Sequence, residues 1–469
     1  MRASKILKIL GWIGGTAVVI AGLGYGGFRL MAAHFYPDPP VKAYPKPRSS
    51  LEAQRQDLDY FKKLMAFDRS YSPAARAKAN SQVAELEAAS SPLSPQAFMV
   101  RLMQITALAD NGHTHVRLLG PGRVPNLVPV RVTRFAEGFY VMRAKAPYKD
   151  MLGGRIESID GMPFDEIVRR LDALRGGLPG FRHDSGPLFI MVQDLLYGSD
   201  IAKEPMRATW TVRLPSGARV TRTLDAYPMP AKGDEPEYGY RWMSPEPVKS
   251  MGEGWMSYAP AKGTLPESKQ NPDDVFENLA IPGSCGRYVR LQDIDDTDGQ
   301  EIAPFLKQTE AEFSARKPCA AIVDLRGNGG GNYTKAWRFA HALPGLTGHI
   351  YILTDAGTFS AAITTAAFLK ETGGDKVTIL GEPIGDRLAF YAEGNEGCLP
   401  NSKLCSTYAT GKHVYNGPCT DWNECFWVNW FYPVRVKSLT PDDFIPSRFA
   451  DWDASHDAAY ERAVALIGK

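Results

Sequence analysis

The sequence predicts an α/β layered protein, on three observations. From Arg287 onward, apolar strand-like runs alternate with helical runs, through a strand at Val377 to Leu380 and on to a closing helix over Ala454 to Ile467. Ala320 to Leu325 is a short, almost wholly apolar run leading into Gly327-Asn-Gly-Gly-Gly331, the pattern of a buried strand stopped by a glycine loop. His349 to Thr354 reads as a second such strand, which turns at Ser360 into a helix over Ala361 to Lys370.

The elements before this layer follow in order. Arg2, Lys5 and Lys8 precede an apolar run from Ile9 to Phe28, and at about 1.5 Å per residue such a run spans the ~30 Å hydrocarbon core of a bilayer. The basic residues keep the N-terminus inside and send the rest outward, so a signal anchor over residues 1–35 is expected. Arg29 closes the run and disfavours signal cleavage, while Ala32-Ala33 leaves cleavage as the alternative. The proline-rich segment 36–50 reads as a stiff linker lifting the remainder off the membrane. Residues 51–120 form a helical N-terminal domain: Leu58, Phe61, Leu64 and Met65 keep a helical period. Ser94-Pro95 is a cap followed by proline at the first helical position.

Strands at Val128–Val132 and Phe139–Arg143, a run from Leu152 to Gly161 and a short helix over Phe164 to Leu171 make a β-unit within 121–180. Met206 to Leu224 alternates as a hairpin around Pro215-Ser-Gly217, inside a hairpin and irregular insertion over 181–280. The α/β domain then occupies 281–469.

Composition narrows the classes of partner. The 54 basic and 52 acidic residues leave a formal charge of +2, with no basic patch suited to nucleic acid. Cys398, Cys405, Cys419 and Cys425 lack Cys-x-x-Cys spacing, so disulfides of an exported protein are expected rather than zinc. Three pairings of these four remain open, and Cys285 and Cys319 either pair or stay buried thiols.

The chemistry concentrates between Cys319 and Gly385. Consecutive glycines leave bare backbone N–H groups that can line an anion-binding hollow. A serine at a helix N-terminus beside such a loop is a layout for acyl transfer. The bland alternative is a tight turn and a capping serine. A Walker loop is excluded because Asn332-Tyr333 follows the glycines, and a dinucleotide fingerprint because Asn332 stands where its last glycine belongs. The surroundings of Ser360 are not Gly-x-Ser-x-Gly either.

Val323-Asp-Leu-Arg-Gly-Asn-Gly-Gly330, Thr358-Phe-Ser-Ala361, Gly381-Glu-Pro-Ile-Gly385 and Asp110-Asn-Gly-His-Thr114 together resemble the tail-specific (C-terminal-processing) serine peptidases, which include the tricorn-type proteases. The resemblance runs over roughly residues 95 to 465. It implies a crotonase-like ββα superhelix for the catalytic domain and a PDZ-like unit for 121–180. One branch of the family uses a lysine base in a Gly-Lys-Gly segment; here that segment is Gly385-Asp386-Arg387, and an arginine cannot serve as a base. The other branch uses Ser–His, and the motif assigns the base to His113. His115 lies two positions on and would share its face in an extended segment. Two such histidines also suggest half of a metal site, although no further ligand motif accompanies them.

The tricorn-like branch orients its histidine with a glutamate shortly before a Pro-Asp pair, but the stretch before Pro441-Asp442 contains no acid. Asp110, Glu382 or Glu424 could take that place. The oxyanion hole is expected from the amides of Gly330 and Ala361, with Asp324 and Arg326 as a structural pair and Arg387 either exposed or receiving a substrate carboxylate. The expectation is an exported, membrane-anchored serine peptidase acting on protein or peptide substrates, with no metal or organic cofactor. A catalytically silent lipid- or peptide-binding protein of the same fold is the alternative.

Overall fold

The computed structural model describes residues 22, 24–230, 234, 239–297 and 299–468. Most of the apolar N-terminal run falls outside them, and no described helix is long and apolar enough to cross a membrane.

A six-stranded sheet organises the C-terminal half. Its order is Phe276–Ala280, Arg287–Leu291, Ala320–Asp324, His349–Thr354, Val377–Gly381 and Asp443–Phe444. The first pair is antiparallel and the others are parallel. The sheet is buried on both faces, which is why its strands read as near-continuous apolar runs. Val289, Val323, Ile350 and Ile352 pack on one side with the helices Ile302–Arg316, Tyr333–Leu346 and Ala361–Gly373. Tyr288, Ile322, Tyr351 and Leu353 pack on the other with the last helix, Ala458–Ile467. The closing helix, expected over Ala454 to Ile467, begins at Ala458 and ends at Ile467, because Asp457 caps it by accepting from Tyr460 N–H; a separate short helix, Phe449–Asp453, precedes it.

The N-terminal half holds helices Ser50–Phe67, Pro73–Ala88 and Pro95–Ala107, then an antiparallel sheet in the order Val130–Phe135, Gly138–Lys145, Arg155–Ile159, Arg207–Arg213, Arg219–Asp225. The predicted hairpin therefore joins the same sheet as the β-unit before it, through pairing of Arg155–Ile159 with Arg207–Arg213. Two helices, Pro179–Ile190 and Gln193–Gly198, occupy a stretch with no predicted helix; Gly186 and Pro187 inside the first disguise it.

The segment 36–50 does not stand off the body. Phe35 is fully buried against Phe426 and Trp427, Tyr408 Oη donates to the Pro37 carbonyl, and Lys42 and Tyr44 both bond Asp59. The linker expectation is corrected accordingly: its prolines stiffen a strap laid along the surface.

All six cysteines are paired, as Cys285–Cys319, Cys398–Cys405 and Cys419–Cys425. Each of the last two closes a local loop, and such bonds persist in oxidising, exported compartments.

The glycine loop is tied to the last helix by a buried ion cluster. Arg326 donates to Asp324 (2.6 and 2.9 Å) and to Asp457 (2.8 and 2.9 Å), and Tyr288 Oη donates to Asp324. Removing one partner strands a buried charge, so Asp457→Ala is expected to lower unfolding free energy by about 3–5 kcal/mol in urea denaturation. Removing exposed Asp443 from its pair with Arg462 should change it by under about 1 kcal/mol.

Candidate active site

Parallel pairing of Ala320–Asp324 with His349–Thr354 puts the loops that follow both strands on one edge of the sheet. Ligands of open α/β sheets bind at this carboxyl edge. The loops are laced together: Thr358 Oγ1 donates to the Leu325 carbonyl (2.8 Å) and Phe359 N–H to the Asn328 carbonyl (2.9 Å). Ser360 then begins the Ala361–Gly373 helix with φ 52° and ψ −121°, a conformation non-glycine residues avoid. Gly330, at φ 117°, lies directly beneath it: a Cβ there would sit 2.6 Å from Ser360 Cβ.

The histidine arrives from the other half of the chain. Its loop, after the Pro95–Ala107 helix, is held on one side by Thr114 Oγ1 donating to buried Asp68 (2.6 Å). On the other side is a ribbon, Asn395–Cys398 with Cys405–Tyr408. There Arg117 N–H donates to the Cys405 carbonyl (2.8 Å), Thr407 N–H to the His115 carbonyl (3.0 Å) and Thr407 Oγ1 to the His113 carbonyl (2.7 Å). His113 Nε2 is 3.0 Å from Ser360 Oγ, joining positions 247 apart in sequence. His115 does not share this contact; its Nδ1 is 3.3 Å from Thr407 Oγ1.

The other expected residues fall as follows. Ala361 opens the helix, where the first N–H groups have no partner within the helix. The Gly330 N–H, expected to be the second oxyanion donor, instead donates to Asn328 Oδ1 (2.9 Å). Each acid considered for orienting the histidine is occupied by a cation: Asp110 by Arg387 (2.6 Å), Glu382 by Arg134 (2.6 Å) and Glu424 by Lys412 (3.2 Å). Arg387 is likewise committed to Asp110. Among the described residues no carboxylate bonds His113, whose ring meets the Tyr391 main-chain carbonyl instead, and no group of three or more metal-ligating side chains occurs.

Packing orients the imidazole instead. It lies between Phe359 (centroids 4.5 Å, planes 29° apart) and Phe390 (5.6 Å, 7°). Phe181 stacks behind Phe359 at 4.3 Å, and His413 behind Phe390 at 5.1 Å. Gly112 makes room for the column, since a Cβ would come within 2.6 Å of the Phe359 ring. Sequence reading missed these rings because a lone phenylalanine looks like core; the positions flanking Ser360 and following Gly385 were the available signal.

A cavity of about 600 Å³ opens beside the pair, lined by His113, Ser360, Arg134, Asp184, Asp355 and Glu382 among others. Arg134 faces Asp184 (3.1 Å) and Glu382, so carboxylates outnumber cations on this wall. Burial, with Asp184 nearby, pushes Asp355 up to about 7.

No family sequence model matches this chain, and no curated protein does either. Solved structures do. Mature CPAF matches over 89% of this chain and 97% of its own, at 14% identity and a TM-score of 0.58. The chain has the CPAF fold. CPAF complexed with lactacystin matches over 89% of this chain and 98% of its own, at 13% identity and a TM-score of 0.57. A looser likeness, at a TM-score of 0.37 and 14% identity, reaches the photosystem II D1 C-terminal processing protease, over 84% of this chain and 93% of that one.

Desolvation between the rings, reinforced by the nearby His413 and Arg175, holds His113 down at about 3. The ring is thus neutral and able to accept a proton through the neutral range. Because the folded value lies below the ordinary ~6.5, the unfolded chain takes up a proton first, and stability falls as pH drops from ~6.5 toward 3. An NMR titration of the imidazole carbons should place His113 far below the free-histidine midpoint; a midpoint near 6.5 would mean a solvated ring.

Proposed function

We propose that this chain is an exported serine-type peptidase, of the tail-specific kind, that cleaves protein or peptide substrates through a Ser360–His113 acyl-enzyme mechanism. The observation that carries this reading is the 3.0 Å approach of His113 Nε2 to a strained serine at a helix N-terminus. Ser360 Oγ attacks the scissile carbonyl while its proton passes to His113 Nε2, which requires the tautomer protonated on Nδ1. The charged oxygen forms against the Ala361 N–H and the Gly330 edge, where the Gly330 amide adds a second donor only by turning from Asn328. His113 then returns the proton to the leaving amine, and water, activated by the same ring, releases the acyl group.

The imidazolium that forms midway lies between two phenyl faces, whose quadrupoles attract a cation. The Tyr391 main-chain carbonyl also favours the protonated ring. These contacts stand where a carboxylate stands in a Ser-His-Asp triad.

The finer expectations belong to the same reading. Parallel strands with the glycine loop at their carboxyl ends support a crotonase-like superhelix. The succession of Arg155–Ile159, Asp160-Gly161 and the Phe164–Asp172 helix supports a PDZ-like unit. The apolar run Ile9 to Phe28 supports a membrane anchor, and the three disulfides support export.

The commitment of Asp110, Glu382 and Glu424 to other cations, which leaves none of them to orient His113, is the observation favouring a catalytically silent binding protein, and one experiment separates the two. The full chain is treated with a fluorophosphonate and incubated with a denatured-protein substrate. Labelling and cleavage should both vanish in Ser360→Ala, and kcat/KM should fall on the order of 10⁴-fold or more in His113→Ala. A wild type that neither labels nor cleaves would establish the silent protein; activity surviving His113→Ala would move the base to His115. Gly330→Ala, which forces Ser360 aside, should slow labelling by about 100-fold.

A further inference from the structure

Three of the nine tryptophans fall close together in sequence: Trp422 lies inside the loop closed by the Cys419–Cys425 disulfide, and Trp427 and Trp430 lie on the short helical turn that follows it. Their rings form a cluster, Trp422 lying 4.5 Å from Trp427 and 4.8 Å from Trp430. Trp422 is 57% exposed, Trp430 45% and the adjoining Phe431 78%. Neighbouring exposed rings of this size mark an interaction surface rather than scattered surface residues.

Position identifies the partner. Residues 24–35 are helical, and their end is fastened to this loop: His34 stacks on Trp427 at 5.3 Å with planes 8° apart, and its Nε2 bonds the Asn423 carbonyl (2.9 Å). Arg69 Nη2 donates to the His34 carbonyl (3.1 Å), and Phe35 is buried beneath the same loop. Toward the N-terminus this helix exposes Tyr25, Phe28 and Leu30, and the sequence continues as the apolar run back to Ile9. The apolar segment therefore leaves the body beside the tryptophan loop, with no free tether between them.

We infer that the Trp422–Phe431 face rests in the headgroup layer of the bilayer that receives the N-terminal segment. This inference rests on the anchor reading given above. Tryptophan rings, apolar in body and polar at one N–H, concentrate at that layer. Docking there would hold the body close against the membrane in a set orientation.

The test uses the full chain in phosphatidylcholine vesicles, with and without bromine near the headgroup end of the acyl chains. Trp12 lies within the apolar run and reports its insertion, so Trp12→Phe isolates the remaining tryptophans. The expected result is that the chain floats with vesicles and the Trp12→Phe chain is still quenched by shallow bromine. That quenching should be lost when Trp422, Trp427 and Trp430 are also made phenylalanine. Flotation and quenching of Trp12 in wild type, without quenching in Trp12→Phe, would uphold the anchor and overturn the docking face. Failure to float would overturn both. Unquenched rings with concentration-dependent self-association would give the face to a second copy of the chain and overturn the proposal.

Discussion

A histidine ring clamped between two phenylalanines is the contact on which the site depends. Phe359 belongs to the turn that presents Ser360, and Phe390 to a short ribbon beyond Gly385, so the two rings fix the imidazole from both walls at once. Aromatic packing of this kind contributes about 0.5–1.5 kcal/mol per pair beyond burial, comparable to a hydrogen bond, and it costs no second buried charge. A carboxylate in the same place would raise the affinity of His113 for protons; burial within the clamp lowers it by desolvation, and the imidazole stays unprotonated in acid well below its ordinary midpoint.

The clamp works only because three separate supports meet. The parallel sheet sets the glycine loop under the serine, the Arg326 cluster binds that loop to the final helix, and the 395–408 ribbon grips the backbone of the histidine loop. The Cys398–Cys405 bond closes that ribbon at the residue whose carbonyl receives Arg117 N–H. A disulfide and the site geometry are thus joined at one cysteine.

What was legible in the sequence was whatever a contiguous run could carry. The strands at Ala320 and His349, the glycine loop, the helix start after Ser360 and the Ser94-Pro95 helix start are all local, and the structure keeps them within a residue or a few at each boundary. His113 was reachable because its motif is local too. The ring column was not, because its five members, at positions 113, 181, 359, 390 and 413, come from separate segments, and neither were the four-residue strands between Ala389 and Val414, which are too short for a period to register. The commitment of Asp110 is equally non-local: it and Arg387 neutralise each other across 277 positions, a pairing no spacing reveals. The strap over 36–50 was misread because proline content reports stiffness and not whether a surface lies beneath it.

The distance along the chain between His113 and Ser360 sets a calendar for the molecule. When the histidine loop first leaves the ribosome, neither its serine, nor either phenylalanine of the clamp, nor the ribbon that grips its backbone has been synthesised. The pair cannot form until residues past Tyr408 have emerged and the Cys398–Cys405 bond has a partner to close with. A chain still being made is therefore without the contact between His113 and Ser360.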